Sequence, residues 1–244
     1  MKDFDIEQYL PNLSIDCVIF GYQDKELKIL IAKSKFGKSS WNLPGGYIKK
    51  TESIEKAASR ILNEKTSLKQ IYLEQFKVFG DKDRIVKSSL KKTLKQEFHK
   101  FDPKIFTAKV TEWMTSRFIC IGYYALVDIN KVQPRAGDFD EFIEWRSIKD
   151  IPKMMHDHAE ITLEALNALR QNFDQKLIGF NLLPDTFTMK ELQELYEAVF
   201  ERTFSNNNFQ KKMLDLNVLT RLEKKFTGAQ NKAPYLYQFK KKLI

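Results

Sequence analysis

Cysteine is scarce in this 244-residue sequence, with two in all, which excludes a disulfide-stapled secreted scaffold. Cys17 in IDCVIFGY and Cys120 in FICIGYYALV both fall in apolar strand-like runs, where a thiol acts as a small hydrophobe and is expected buried and reduced. Nine Gly and seven Pro are too few for a low-complexity or collagen-like chain, and no internal repeat is visible. No eighteen uncharged apolar residues follow one another, and MKDFDIEQYLPNLSIDC lacks the apolar core of a signal peptide. A cytoplasmic location without membrane attachment is expected. Histidine is rare as well, three in total; His156 and His158 form a His-x-His pair, but without a third ligand no metal or cofactor is expected.

What is present is ordinary globular composition, 43% hydrophobic and 30% charged, in a chain long enough for two domains. The formal charge of +9 points to an acidic partner. Its distribution is more informative. From Arg202 to Ile244 ten Lys/Arg face two Asp/Glu, an excess of eight that nearly equals the charge of the whole protein. A second basic stretch, Lys82 to Lys109, holds nine Lys/Arg against three Asp/Glu.

The segment from Ile15 to Lys33 reads as two strands joined by the polar turn Gln23-Asp24-Lys25-Glu26. Pro44-Gly45-Gly46 marks a tight loop, and Ile54, Ala57, Ala58, Ile61 and Leu62 then fall at helical spacing, with Ser53 as N-cap. Further strands are expected at IYLEQFKVF, RFICIGYYALV and EFIEWRSI, and a helix from Met155 to about Asn172. The basic stretch of about 85–112 reads as an inserted loop or small helix pair. Thr188-Met189-Lys190-Glu191 has the form of a capping box at the start of a helix. A second helix follows from Ser205, expected to cap it, with Phe209, Met213, Leu214 and Leu216 along an apolar side. VLTRLEKKF and APYLYQFKKK then alternate as two strands. Helix, helix, hairpin is the order of a winged helix-turn-helix.

In such a unit the second helix enters the major groove with its N-terminal residues, here Asn206, Asn207, Asn208, Gln210, Lys211 and Lys212. Asn and Gln can pair bidentately with adenine, and Lys meets phosphate or guanine. Lys224, Lys225 and Lys232 flank the hairpin tip, where a wing lies along the backbone.

GGYIKKTESIEKAASRILNEKTSL resembles the Nudix box, with Gly46, Glu52, Arg60, Leu62, Glu64 and Leu68 in register. Ile61 and Lys65 stand where that pattern has glutamates, and Ser67 where it has Gly. Mg²⁺ needs several oxygen ligands, which in the pattern this segment resembles come from carboxylates on one helix face; of positions 61, 64 and 65 only Glu64 could supply one, so hydrolase activity is not expected. YLEQFKVFGDKDR, SRFICIGYYALVD, HDHAEI and GFNLLPDTFTMKELQELYEAVF extend the similarity to the Nudix-related transcriptional regulators, the group that includes the nicotinamide-metabolism repressor and the arabinose-responsive regulator of Bacteroidetes. The likeness covers nearly the whole chain except Ile85 to Glu112.

The resemblance implies an α+β protein. A Nudix-like α/β/α sandwich with a mixed sheet would occupy residues 1–152, a connecting helix and linker 153–184, and a winged helix 185–244. It further implies a non-catalytic sensor for a small-molecule effector and a homodimer on a double-stranded DNA operator. The effector would be a sugar, with a pentose marginally preferred, or an ADP-ribose-like metabolite. Tyr47, Glu52, Arg60, Glu64, Phe79 and Arg84 would surround the former substrate cleft. Two other readings stay open. One is an active hydrolase of nucleoside diphosphate derivatives, its metal site rescued by Glu97 or Glu112; the other is an RNA-binding protein, for which no stacking platform is recognisable.

Overall fold

The computed structural model describes residues 5–36, 40–69, 71–84, 96, 106–173, 178–225 and 233–240. Most of the basic insertion, with Glu97, and Lys232 at the hairpin tip lie outside them. β1 (Tyr9–Gln23) and β2 (Glu26–Ser34) form an antiparallel hairpin. Asp24 and Lys25 turn it with φ of 55° and 62°, the doubly left-handed geometry that matches strand twist in a two-residue loop. β3 (Trp41–Asn42) and β7 (Asp140–Ser147) pair with β2, and β4 (Gly45–Lys49) pairs with β1. β6 (Ile119–Val127) runs parallel to β1, with β5 (Tyr72–Phe79) antiparallel on its far side. The result is the expected mixed sheet, of seven strands.

Alternation along β1 assigns the two faces of the sheet. Ile15, Cys17 and Ile19 pack with Ile121, Tyr123 and Ala125 of β6 against Ala57, Ala58, Ile61 and Leu62 of α1 (Ile54–Thr66). Val18 and Phe20 look the other way, with Cys120, Tyr124 and Leu126, toward Ile161, Ala165 and Leu169 of α3 (His158–Phe173). Between these helices in sequence lies α2 (Ala108–Met114), capped by Thr107. Both cysteines are fully buried and free, on opposite faces of the sheet. Ser53 caps α1 as expected, accepting from the Lys56 amide. α3 starts three residues later than its periodicity suggested, because His156 takes a left-handed φ of 48° that helical backbone cannot accommodate.

The C-terminal unit is α4 (Met189–Phe200), α5 (Asn206–Asp215), β9 (Leu219–Lys224) and β10 (Tyr235–Phe239), joined by a short β8 (Phe187–Thr188) in the order β8-β10-β9. Both halves of the capping box form at Thr188 and Glu191. Ser205 does occupy the N-cap position of α5, but its side chain makes no capping hydrogen bond. Only Phe209 and Met213 of α5 are buried; Leu214 and Leu216 are exposed, because the ten-residue helix packs on α4 by a single stripe. No helix among the described residues is long and apolar enough to cross a membrane.

α3 serves both units. Its apolar side covers the sheet, while at its C-terminal end Phe173 packs edge-on to Tyr196 of α4, ring centroids 5.0 Å apart. Arg170 donates to the Val199 carbonyl at 2.7 Å and to Glu201 at 2.8 Å. Lys25 at the β1–β2 turn adds an ion pair with Glu194 at 2.9 Å.

Candidate functional site

Four of the six residues expected around the cleft form one hydrogen-bonded group on β4 and the loop and helix that follow it. Arg60 donates through Nε and an Nη to the two oxygens of Glu52 at 3.0 and 2.6 Å, to the Tyr47 carbonyl at 2.9 Å, and to Glu64 at 3.2 Å. Glu52 also accepts from the Lys49 amide at 2.9 Å. The guanidinium holds the Glu52 carboxyl below the usual carboxylate range. The Tyr47 ring lies 4.5 Å from Trp113 and 5.4 Å from Phe118, centroid to centroid.

Phe118 leads to a second, buried group. Its carbonyl accepts from Arg84 at 2.9 Å, and Arg84 also grips Asp157 bidentately at 2.5 and 3.0 Å. Asp16, 8% exposed, accepts from the Cys120 thiol at 2.9 Å and lies 3.7 Å from both Arg84 and His158. Burial, reinforced by the Asp16 carboxylate, pushes the Cys120 thiol up, so it stays protonated. His158 Nδ1 accepts from the Leu43 amide at 3.0 Å, a structural role, and burial pushes the His156 imidazole down. Arg84 therefore joins the Tyr47 group through Phe118. Phe79 does not: it is buried in the core beside Phe76, 5.9 Å between ring centroids.

In the C-terminal unit α5 presents Asn206, Asn207, Asn208, Gln210, Lys211 and Lys212 to solvent. Asn206 is tied down, since its Oδ1 accepts from Gln193 of α4 at 2.9 Å. The same Gln193 donates to the Phe204 carbonyl at 3.0 Å, and Glu197 accepts from the Phe204 amide at 2.9 Å, which fixes the turn between the helices. The ammonium of Lys212 leans over the Tyr196 ring at 5.7 Å. Just past β9 Lys225 pairs with Glu191 at 3.0 Å, and at the end of β9 Lys224 lies 5.4 Å from the Tyr235 centroid.

Residues 10–166 match the model of the NUDIX domain, and residues 179–239 match that of the NrtR DNA-binding winged helix domain. The chain belongs to the Nudix family. Its Nudix domain precedes an NrtR-type winged helix, in the architecture the sequence resemblance implied. The protein named "ADPR responsive transcriptional repressor NtrR" from Acinetobacter baylyi is 25% identical over 94% of this chain and 82% of its own length. The ADP-ribose pyrophosphatase of Methanocaldococcus jannaschii is 24% identical over 66% of this chain and 79% of its own. The crystal structure of Shewanella oneidensis NrtR complexed with a 27mer DNA superposes with a TM-score of 0.70, at 24% identity over 93% of each chain, a likeness of fold.

Of positions 61, 64 and 65 in the box, only Glu64 carries a side-chain oxygen. Ile61 is 1% exposed in the core, where a Cβ added at Gly46 would meet it at 3.0 Å. Lys65 places its ammonium 2.5 Å from Asp140, and Glu52 and Glu64 share Arg60. Mg²⁺ asks for near-octahedral oxygen ligation, and of these box side chains only Glu52 and Glu64 bring oxygens, both already engaged by Arg60. Glu112, considered as a rescuing ligand, is exposed on α2. The winged helix adds two exposed arginines that motif spacing does not single out, Arg202 over the Phe204 ring at 4.8 Å and Arg221 over Tyr235 at 3.5 Å. Their only signal in the sequence is the local excess of charge.

Proposed function

We propose that the protein is a sequence-specific DNA-binding transcriptional repressor whose Nudix domain binds an ADP-ribose-like metabolite without hydrolysing it. The observation that carries this reading is the union, in one chain, of a Nudix domain with an NrtR-type winged helix, with 94% of the chain matching a relative named as ADPR responsive over 82% of that relative's length. A pentose effector finds no counterpart among these relatives. On this reading residues 1–152 sense, 153–184 connect, and 185–244 bind an operator as a homodimer, each recognition helix entering one half-site.

The arrangement suggests how sensing reaches the DNA. Arg60 and Arg84 offer the positive charge that a diphosphate requires, and both are held by carboxylates in the free protein. A diphosphate that draws Arg84 from Asp157 releases the N-terminal end of α3, whose C-terminal end grips α4 through Arg170 and Phe173. Effector and operator then favour different settings of one rigid element, and each changes the other's affinity by the same factor.

The test is binding to fragments upstream of the protein's own and neighbouring genes across a salt series. One fragment should bind well above random duplex, and Lys224→Ala with Lys225→Ala should lower the salt slope by about one unit for each phosphate that is no longer neutralised. Asn207→Ala or Gln210→Ala should alter base preference instead, by about 1–3 kcal/mol for a bidentate pairing. Equal affinity for all fragments, unchanged in these variants, would defeat the proposal. The hydrolase reading has in its favour the archaeal pyrophosphatase relative and the retained Glu52 and Glu64. Turnover of ADP-ribose with Mg²⁺ or Mn²⁺, abolished by Glu64→Gln, would establish it instead.

A further inference from the structure

Leu214 has no place in the core or between the two units. It lies in the last turn of α5, 45% exposed, while Phe209 and Met213 of the same helix are buried. At about 100° per residue, Asn207, Lys211 and Leu214 fall on one stripe facing away from that buried pair, with Gln210 on its flank. Leu216, the other exposed leucine, is not part of it: residues two apart face different sides, and Leu216 forms the C-cap before Asn217 turns left-handed. Leu214 is therefore a single apolar group among amides and a lysine. An interface with a second copy would call for a contiguous apolar patch. The major groove matches the stripe better, because its polar wall of donors and acceptors is interrupted by one apolar group, the C5-methyl of thymine.

We propose that Leu214 contacts a thymine methyl in the bound duplex and is a specificity-determining residue, an inference that rests on the DNA-binding reading above. The amides on the same stripe sharpen it. Asn206 has its carbonyl oxygen engaged by Gln193, whereas Asn207 and Gln210 have no hydrogen-bond partner among the described residues and remain free for base edges. With a rise of about 1.5 Å per residue, Leu214 stands roughly 10 Å along the helix from Asn207, about three base-pair steps. The thymine therefore lies within about three base pairs of the base that Asn207 reads.

The experiment selects duplexes from a random pool with the full-length protein, then replaces each thymine of the enriched sequence, one at a time, by deoxyuridine. Removal of one buried methyl at the thymine that Leu214 touches should weaken binding about fourfold, at a position within about three pairs of the Asn207-dependent base. Leu214→Ala should bind the thymine and uracil duplexes equally, as tightly as the wild type binds the uracil form. The uracil series needs no variant, so it stands even if Leu214→Ala folds poorly. The inference is overturned if no thymine position responds, or if Leu214→Ala keeps the wild-type preference for thymine over uracil. A variant that keeps this preference but changes oligomeric state would assign Leu214 to an interface between copies. Failure to enrich any sequence would overturn the DNA-binding reading itself, and this inference with it, before a base analogue is used.

Discussion

Lys65→Ala should destabilise the Nudix domain far more than removal of an ordinary surface lysine. The Lys65 and Asp140 side chains are 12% and 9% exposed and meet at 2.5 Å, and the Gly137 amide adds a hydrogen bond to Asp140 at 2.8 Å. Removing the ammonium leaves a carboxylate buried with one backbone donor. Breaking a buried pair on one side costs about 3–5 kcal/mol, against about 0–1 kcal/mol for an exposed pair. For a chain of this size each kcal/mol moves the melting midpoint by about 2–4 °C, so a fall of about 6–20 °C is expected. Adding Asp140→Asn should recover most of the stability, since a neutral amide can still accept from Gly137. Lys65→Glu, which restores the glutamate of the Nudix pattern, should destabilise at least as much, because it sets two carboxylates face to face. Thermal and urea unfolding of the four proteins at neutral pH provide the measure. A destabilisation below about 1 kcal/mol for Lys65→Ala, or no recovery with Asp140→Asn, would refute a structural role for this lysine.

Three further outcomes follow from local geometry. Ser67 ends α1 with φ of 63°, so Ser67→Gly should raise stability by up to about 1 kcal/mol in thermal unfolding, offset by the hydrogen bond from Ser67 to the Gln133 carbonyl. The Glu52 carboxyl is depressed by its hydrogen bond from Arg60, so its contribution is complete above the unfolded carboxylate pKa, about 4.3, and is lost as pH falls through the lower folded value. Urea unfolding between neutral pH and pH 3 should therefore show a shallower acid destabilisation in Glu52→Gln than in the wild type. Cys17 and Cys120 are buried with their thiols pushed up, so a thiol reagent should count no reactive cysteine in the native protein and two after denaturation.

The features legible in the sequence were those written in local periodicity. The β1–β2 hairpin, α1 with its Ser53 cap, and the Thr188–Glu191 capping box each depend on residues a few positions apart. β3 and β8 are not legible in the sequence, because two residues carry no alternation to read. The apolar side assigned to α5 was too wide, since periodicity shows which residues are apolar but not how much surface a neighbouring helix covers; Leu214 and Leu216 lie beyond α4's reach. At the candidate site, Glu52, Arg60 and Glu64 were legible through the spacing of the box. The partners of Lys65, Asp16 and Arg84 were not, because Asp140, Cys120 and Asp157 come from distant segments that only the sheet brings together.

The central claim is that one chain couples a metabolite in its Nudix domain to DNA on its winged helix. The direct measurement is the affinity of the full-length protein for its best upstream duplex, with and without saturating ADP-ribose at fixed salt, paired with ADP-ribose affinity with and without that duplex. The account predicts that ADP-ribose changes DNA affinity by about 5–150-fold, the usual span of coupling energies, that DNA changes ADP-ribose affinity by the same factor, and that the nucleotide is recovered intact. Specific DNA binding that ADP-ribose leaves unchanged, or ADP-ribose consumed in the assay, would contradict it.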